Sequence, residues 1–136
     1  MAYTDNFRRQ HQELLVLVGE IAGRLKAEPG DAKGLRSLLS ALAGRLTVHL
    51  AMEDKVLYPR LAEAKREESR GIALAFQQEM GGLAQAFADY NQRWQAHAIE
   101  GDPGGFARET HALFSSIGRR IARENNELYP LADRIL

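Results

Sequence analysis

The chain has 136 residues, a length that suits one compact unit with a buried core, so we expect a single domain over residues 1–136. Eighteen basic and eighteen acidic residues cancel, which leaves no net charge to attract nucleic acid or an anionic membrane surface. The absence of cysteine excludes disulfides, thiolate metal sites and thiol nucleophiles.

The N-terminal segment is polar, with Arg8 and Arg9, and lacks the apolar core of a signal peptide. The longest aliphatic run, residues 14–18, is too short to cross a bilayer. We therefore expect a soluble, cytoplasmic protein with neither a membrane nor a nucleic-acid partner.

The first predicted helix covers residues 4–26, where apolar residues recur at spacings of three, four and seven. Thr4 or Asp5 is the expected N-cap. Residues 28–30, Glu-Pro-Gly, break the pattern and end this helix.

The second predicted helix begins after Asp31, a suitable N-cap, and runs through Leu57. We expect Pro59 to kink or end it. The third carries large apolar side chains over residues 76–94 and stops near Ala98.

The fourth predicted helix opens at Asp102, an N-cap followed by Pro103 at the first helical position, and runs through Leu128. No segment alternates with period two over the length of a strand. The sequence therefore predicts an all-α protein, an up-down-up-down four-helix bundle.

One motif occurs twice, 71 positions apart, in the second and fourth helices. Its residues are Glu53, Leu57, Tyr58 and Pro59, which recur as Glu124, Leu128, Tyr129 and Pro130. The repeat predicts two helix pairs related by pseudo-symmetry.

A candidate metal site follows from helix periodicity. His49 and Glu53 lie four residues apart, so they project from nearly the same face of the second helix. Bundle cores hold metals in this way, with imidazoles and carboxylates from several facing helices. The repeat aligns Glu124 with Glu53 and Arg120 with His49. An earlier segment repeats at an offset of 69, as in Phe7 and Phe76, and aligns Met80 with His11. The candidate ligands are His11, His49, Glu53 and Glu124.

Over nearly its whole length the chain resembles the haemerythrin HHE cation-binding family. The resemblance rests on His11 in the first helix, His-x-x-x-Glu in the second and Glu-x-x-x-Leu-Tyr-Pro in the fourth. It implies a four-helix bundle with a non-haem di-iron centre held by six side chains. Four of those positions are kept, but Met80 and Arg120 replace the histidines of the third and fourth helices.

Both replaced histidines would have served the same iron, so the resemblance implies that one half of the centre remains. A shell of two imidazoles and two carboxylates would hold one ion, iron by the resemblance, with zinc or manganese also acceptable.

Arg120 gains a physical interpretation in such a site. Two carboxylates about 5 Å apart repel by roughly 3 kcal/mol at an effective dielectric near 20, and a guanidinium would offset this. It cannot itself coordinate a metal. Met80 would fill the volume of the lost imidazole. In the alternative, Arg120 extends into solvent beside Arg119 and Arg123.

The remaining histidines and the repeated tyrosines are not predicted to be ligands. His111 lies on another face of its helix from Arg120, and His97 is too far along the helix axis from Met80. Tyr58 and Tyr129 are expected to pack at helix ends rather than bind iron.

A two-metal site would need an additional ligand. Glu79, Glu127 and Gln10 are near enough in sequence to supply an oxygen, and Glu127 is the foremost of these because it follows Glu124 by one turn.

The sequence favours a haemerythrin-like metal-binding protein with a reduced, mononuclear site that acts in sensing of oxygen or nitric oxide, iron handling or a stress response. Its partners would be the metal ion and a small diatomic gas. The alternative is a metal-free interaction module with a decayed site, as in a homodimer. The chain has no Ser-His-Asp pattern and no glycine-rich phosphate loop, so we do not expect an enzyme.

Overall fold

Helices build the fold over residues 2–136, the part of the chain that this computed structural model describes. No strand occurs within that range. The α-helices are α1 (Asp5–Ala27), α2 (Ala32–Met52), α3 (Tyr58–Glu63), α4 (Glu67–Met80), α5 (Leu83–Arg93), α6 (Ala96–Gly101), α7 (Pro103–Arg123) and α8 (Tyr129–Ile135). Two π-helical turns, Glu53–Leu57 and Glu124–Leu128, join α2 to α3 and α7 to α8.

These elements form four rods: α1, then α2 with α3, then α4 with α5, then α7 with α8. α1 packs against α2 and α7, and α5 packs against the same two helices from the other side. Each rod thus contacts its two neighbours in chain order, and the predicted all-α, up-down-up-down four-helix bundle is confirmed. None of the helices in residues 2–136 combines the length and apolarity needed to cross a membrane.

The predicted caps of the second and fourth rods are confirmed. The Asp31 carboxylate accepts the backbone N–H of Gly34 at 3.1 Å, and Asp102 accepts that of Gly105 at 2.9 Å. Thr4 stands at the N-cap position of α1, as predicted, but its side chain caps no backbone N–H. The Thr4 hydroxyl instead donates to Asp133 at 2.8 Å, which ties the start of α1 to α8.

The sequence predicts that the third rod is one helix that stops near Ala98, but the structure divides this stretch into separate helices. Gly81 and Gly82 interrupt it, since glycine is the weakest helix former after proline. The second segment, α5, ends at Arg93, and Trp94 stands at its C-cap. The Trp94 indole N–H donates to the Glu109 carboxylate on α7.

Two apolar clusters fill the bundle on either side of a polar layer. The larger includes Leu14, Leu50 and Ile117, and the smaller includes Leu57 and Leu128. The polar layer lies between them along the rods and holds the candidate metal ligands.

Candidate metal centre

The two π-helical turns position the centre. The Tyr58 N–H donates to the Glu53 carbonyl and the Tyr129 N–H to the Glu124 carbonyl, so each turn closes over five residues instead of four. Pro59 has no N–H to donate, and the wide turn accommodates it. The helical path continues past Pro59 to Glu63, and the interruption expected at Pro59 takes the form of the wide turn that follows the end of α2 at Met52.

The structure brings all four candidate ligands together. His11 lies on α1, His49 on α2, and Glu53 and Glu124 begin the two π turns. All four are buried, and one ligand atom from each lies within 4.8 Å of the others. Nε2 of His11 is 3.1 Å from Oε1 of Glu124, and Nε2 of His49 is 3.1 Å from Oε1 of Glu53.

The outer nitrogen of each imidazole faces a side-chain amide oxygen. Nδ1 of His11 is 2.8 Å from Oδ1 of Asn125, and Nδ1 of His49 is 2.7 Å from Oε1 of Gln10. An amide oxygen only accepts, so each Nδ1 carries the hydrogen and each Nε2 presents a lone pair to the interior. Metal-bound histidines are oriented in the same way.

His49 supplies a test of whether a cation fits this site. Its Nε2 is buried without a hydrogen-bond partner, although Oε1 of Glu53 lies 3.1 Å away. Two acceptor atoms that close repel each other, and buried polar atoms without a partner are uncommon. Oε1 of Glu53 accepts from Arg120, so Nε2 of His49 is the atom that lacks a partner, and a cation beside it would supply one; the residues present fit a metal ion.

Burial sets the protonation of the ligands. Burial, together with the nearby His11, lowers the pKa of His49 to about 4, so the imidazole is neutral and able to bind a metal at neutral pH. Burial raises the pKa of Glu53 and of Glu124, and the proximity of Glu53 adds to the second shift. The positive charge of Arg120 opposes both increases.

Arg120 supplies that charge from inside the bundle, where its side chain is 2 % exposed. Its Nε donates to Glu124 at 3.1 Å, and its Nη2 donates to Glu53 at 3.2 Å and to Asp54 at 2.9 Å. Burial alone would lower the pKa of Arg120, but the surrounding negative groups, Glu124 foremost, raise it. The alternative in which this side chain extends into solvent is wrong.

Met80 is buried in the smaller apolar cluster. Its carbonyl oxygen accepts Nη1 of Arg120 at 3.1 Å, at the point where the two glycines interrupt the third rod. The residues at the two substituted positions therefore contact each other, and the guanidinium stabilises a carbonyl at the end of α4.

Both repeated tyrosines lie at helix ends, at the starts of α3 and α8, and their hydroxyls also reach the centre. The Tyr58 hydroxyl donates to Oε2 of Glu124 and the Tyr129 hydroxyl to Oε2 of Glu53, each at 2.5 Å. In a regular helix, a residue five positions on lies about 140° around the axis, but the wide turn returns it to the face of the glutamate.

Sequence reasoning also missed Asp54 and Asn125, which contact Arg120 and His11. The available signal was the repeat itself, because these residues follow Glu53 and Glu124 and are 71 positions apart.

The other residues considered from sequence do not join the cluster. Gln10 contacts Nδ1 of His49 and so acts behind the ligands. Glu79 and Glu127 are exposed and pair with Arg123. The two further histidines, His97 and His111, are also exposed.

Comparison with known proteins identifies relatives of the whole chain. It is 29% identical over 140 residues to "Iron-sulfur cluster repair protein YtfE" of Yersinia pseudotuberculosis serotype IB (strain PB1/+), and equally identical to the protein of that name in Yersinia pestis (strain Pestoides F). Identity to the protein of Yersinia pseudotuberculosis serotype O:1b (strain IP 31758) is 26%. Each alignment covers 97% of this chain but 62% of the relative. No solved structure matches the chain at a significant level.

A family match covers nearly the whole chain. The Hemerythrin HHE cation binding domain matches residues 3–132, which cover the first three rods and most of the fourth. This chain belongs to the haemerythrin HHE cation-binding family.

Proposed function

We propose that the chain binds one non-haem metal ion, iron, through His11, His49, Glu53 and Glu124. The observation that carries the proposal is Nε2 of His49, a buried lone pair without a partner that faces a carboxylate oxygen. The hydrogen on each Nδ1 turns both imidazoles toward the same point. Nitrogen and oxygen ligands of this kind also suit zinc and manganese.

The restriction to one ion is supported by Arg120. Its guanidinium donates to both carboxylates, so it occupies the side on which a second ion would need them. Oε2 of Glu124 accepts from Tyr58 and from Arg120, which leaves Oε1 for the ion beside His11. A guanidinium stays protonated and does not coordinate metals, so it replaces the charge of a second ion but not its chemistry.

We propose a role in iron handling under stress, because the relatives are iron-sulfur cluster repair proteins. The chain spans 62% of their length, so their complete activity is not assigned to it. A bound iron(II) ion with four protein ligands would retain open positions for a small ligand such as nitric oxide or oxygen. Sensing of such a gas is the second role that we propose for the same centre.

Metal content tests the proposal directly. Protein purified without chelator and titrated with iron(II) under anaerobic conditions should bind one ion per chain. The change of His49 to Ala should abolish stoichiometric binding, whereas His111→Ala, which alters an exposed histidine, should not. Two tightly bound ions per chain, or equal loss in both variants, would contradict the proposal.

One observation favours the alternative, a metal-free interaction module. Tyr58, Tyr129 and Arg120 provide hydrogen bonds to the buried carboxylates without any metal. That alternative predicts no stoichiometric metal and an unchanged melting temperature in His49→Ala.

A further inference from the structure

The repeat brings two tyrosine hydroxyls to the polar layer, and their surroundings differ. Tyr58 lies beside Arg120, whose guanidinium carbon is 5.2 Å from the centre of the Tyr58 ring. Tyr129 lies beside His11, and the two rings stack with 5.0 Å between their centres. One phenol therefore adjoins a permanent cation, and the other adjoins a candidate metal ligand.

The buried hydroxyl of Tyr129 contacts two of the candidate ligands. Its oxygen is 2.5 Å from Oε2 of Glu53 and 2.9 Å from Nε2 of His11. A phenol carries one hydrogen, and the shorter contact directs that hydrogen to Glu53. Nδ1 of His11 holds the imidazole hydrogen, because it faces the Asn125 amide oxygen. Nε2 of His11 and Oη of Tyr129 therefore face each other as lone pairs.

Glu124 adds a third acceptor beside the same nitrogen. Its Oε1 lies 3.1 Å from Nε2 of His11, and the residue is buried. Buried acceptors this close repel one another, and buried polar atoms normally have a partner. A cation bound among the imidazole nitrogen, the carboxylate oxygen and the phenol oxygen would remove that repulsion.

The distances suit adjacent ligands of one ion. Ligand nitrogens and oxygens lie about 2.0–2.2 Å from an ion such as zinc, so neighbours around it are about 3 Å apart. The distance from His11 to Tyr129 is 2.9 Å, and the distance from His11 to Glu124 is 3.1 Å. A hydrogen bond has a similar length, but the hydrogen of the phenol is directed to Glu53. The phenol oxygen is therefore positioned as a further ligand.

Tyr58 provides the contrast within the repeat. Its hydroxyl donates to Oε2 of Glu124 at 2.5 Å, and the same oxygen accepts Nε of Arg120 at 3.1 Å. The Tyr58 hydroxyl thus shares its acceptor with the guanidinium, whereas the Tyr129 hydroxyl lies against the imidazole of His11. The two tyrosines occupy equivalent positions in sequence but different chemical environments.

We propose that Tyr129 is a fifth ligand of the metal and that it binds iron(III) as the phenolate. The O–H bond breaks, a bond from Oη to the ion forms, and the proton leaves to the solvent. Tyrosine is an established protein ligand of iron. Its phenolate adds a negative charge to those of Glu53 and Glu124, so it favours the trivalent ion over iron(II). The presence of the ion rests on the proposed function, whereas the fifth ligand is specific to Tyr129.

Visible absorption of the protein loaded with iron(III) nitrilotriacetate tests the fifth ligand. Iron(III) bound to a phenolate has a charge-transfer band in the visible range, and excitation in that band enhances phenolate ring vibrations in the resonance Raman spectrum. The unmodified protein should show both signals. Tyr129→Phe should lose both, whereas Tyr58→Phe, which removes the repeat-related hydroxyl, should keep both for each iron bound.

Affinity separates a ligand from a hydrogen-bond partner of a ligand. Tyr129→Phe should weaken iron(III) binding by more than the roughly 10- to 100-fold that loss of an outer partner causes, but iron(II) binding only within that range. Tyr58→Phe should weaken the binding of both ions to the same extent. Competition with a chelator measures the affinities, and circular dichroism shows whether each variant is folded.

The chain has four tyrosines, so the assignment does not depend on one variant. If Tyr129→Phe does not fold, retention of the band in Tyr3→Phe, Tyr58→Phe and Tyr90→Phe assigns the band to Tyr129. Loss of the band in any of these three folded, iron-loaded variants would reject the assignment.

The outcomes separate the fifth ligand from the proposed function. Iron(III) bound without a phenolate band would reject the fifth ligand and leave the proposed function intact. A band that persists in Tyr129→Phe would also reject the fifth ligand. A protein that binds iron in neither oxidation state would reject the proposed function, and the fifth ligand with it.

Discussion

Arg120 is a permanent positive charge in the interior of the bundle, and two buried glutamates depend on it. Its guanidinium contacts Glu53 and Glu124, and it is held from the outer side by Asp54. Removal of one partner from a buried ionic group is strongly destabilising, because the remaining charges lose their compensation.

We therefore predict that Arg120→Met destabilises the metal-free protein by about 3–5 kcal/mol. Arg119→Met removes the same charge from the exposed neighbouring position and should change stability by no more than about 0.5 kcal/mol. Urea unfolding measures both values. Addition of metal should recover part of the loss in Arg120→Met, because the ion supplies positive charge to the same carboxylates. Equal losses in the two variants would show that Arg120 is not needed as a counter-charge.

His49 provides a pH-dependent prediction. Its pKa is lowered from 6.5 to about 4 in the folded protein, mainly by burial. The unfolded chain then binds more protons than the folded chain between these values, so this residue reduces stability as pH falls from 6.5 to about 4. Nitrogen-15 NMR of the metal-free protein at about pH 5.5 should detect a neutral ring with hydrogen on Nδ1. A doubly protonated ring at that pH would contradict the assignment.

At the scale of the elements, the two π-helical turns give the rods a reciprocal arrangement. Tyr58 of the second rod donates to Glu124 of the fourth, and Tyr129 of the fourth donates to Glu53 of the second. Each wide turn therefore positions one glutamate, which is a candidate ligand, and one tyrosine, which donates to the glutamate of the other turn. The phenols keep Oε2 of each glutamate engaged, which directs Oε1 to the centre.

We predict that Tyr58→Phe and Tyr129→Phe each cost about 1–3 kcal/mol of stability, because each removes a hydrogen bond to a buried carboxylate and leaves Arg120 as its remaining donor. Each should also weaken metal binding about 10- to 100-fold, the usual effect of losing an outer partner of a metal ligand. Urea unfolding and competition with a chelator measure the two effects.

Tyr90→Phe is the matched control for these variants. The Tyr90 hydroxyl is also buried and lies 2.5 Å from Oγ1 of Thr110, but it is remote from the metal ligands. It should lose stability without a change in metal affinity. If its metal affinity falls as far as that of Tyr58→Phe, the phenols have no specific role in the centre.

At the scale of the whole molecule, the repeat relates two halves that have diverged. The first half contributes His11 and His49, whereas the second half has Met80 and Arg120 at the corresponding positions. The Met80 carbonyl and the Arg120 guanidinium contact each other, so the two replacements occupy one region of the core.

The double change Met80→His with Arg120→His should therefore create binding for a second ion, since two imidazoles would again face the two carboxylates. Metal analysis of the folded variant should give two ions per chain. Arg120→His alone supplies a single new ligand and should remain at one. A folded double variant that binds only one ion would show that the halves are not equivalent in this way.

The sequence by itself determined the fold class and the four candidate ligands. Helix periodicity, the caps at Asp31 and Asp102, and the spacing of His49 and Glu53 are local properties, because they depend on residues within a few turns of one another. The repeat then aligned Glu124 with Glu53 across the bundle, which is how residues from different rods were assigned to one site.

Only the tertiary structure decided the role of the tyrosines, the direction of Arg120 and the interruption of the third rod. The π turns place Tyr58 and Tyr129 where buried carboxylates need donors, and that need arises from packing between rods. Arg120 lies inward because the negative charges of Glu124 on its own rod and of Glu53 and Asp54 on the second rod outweigh the loss of its hydration. These outcomes depend on contacts between residues far apart in the chain, which local patterns do not encode.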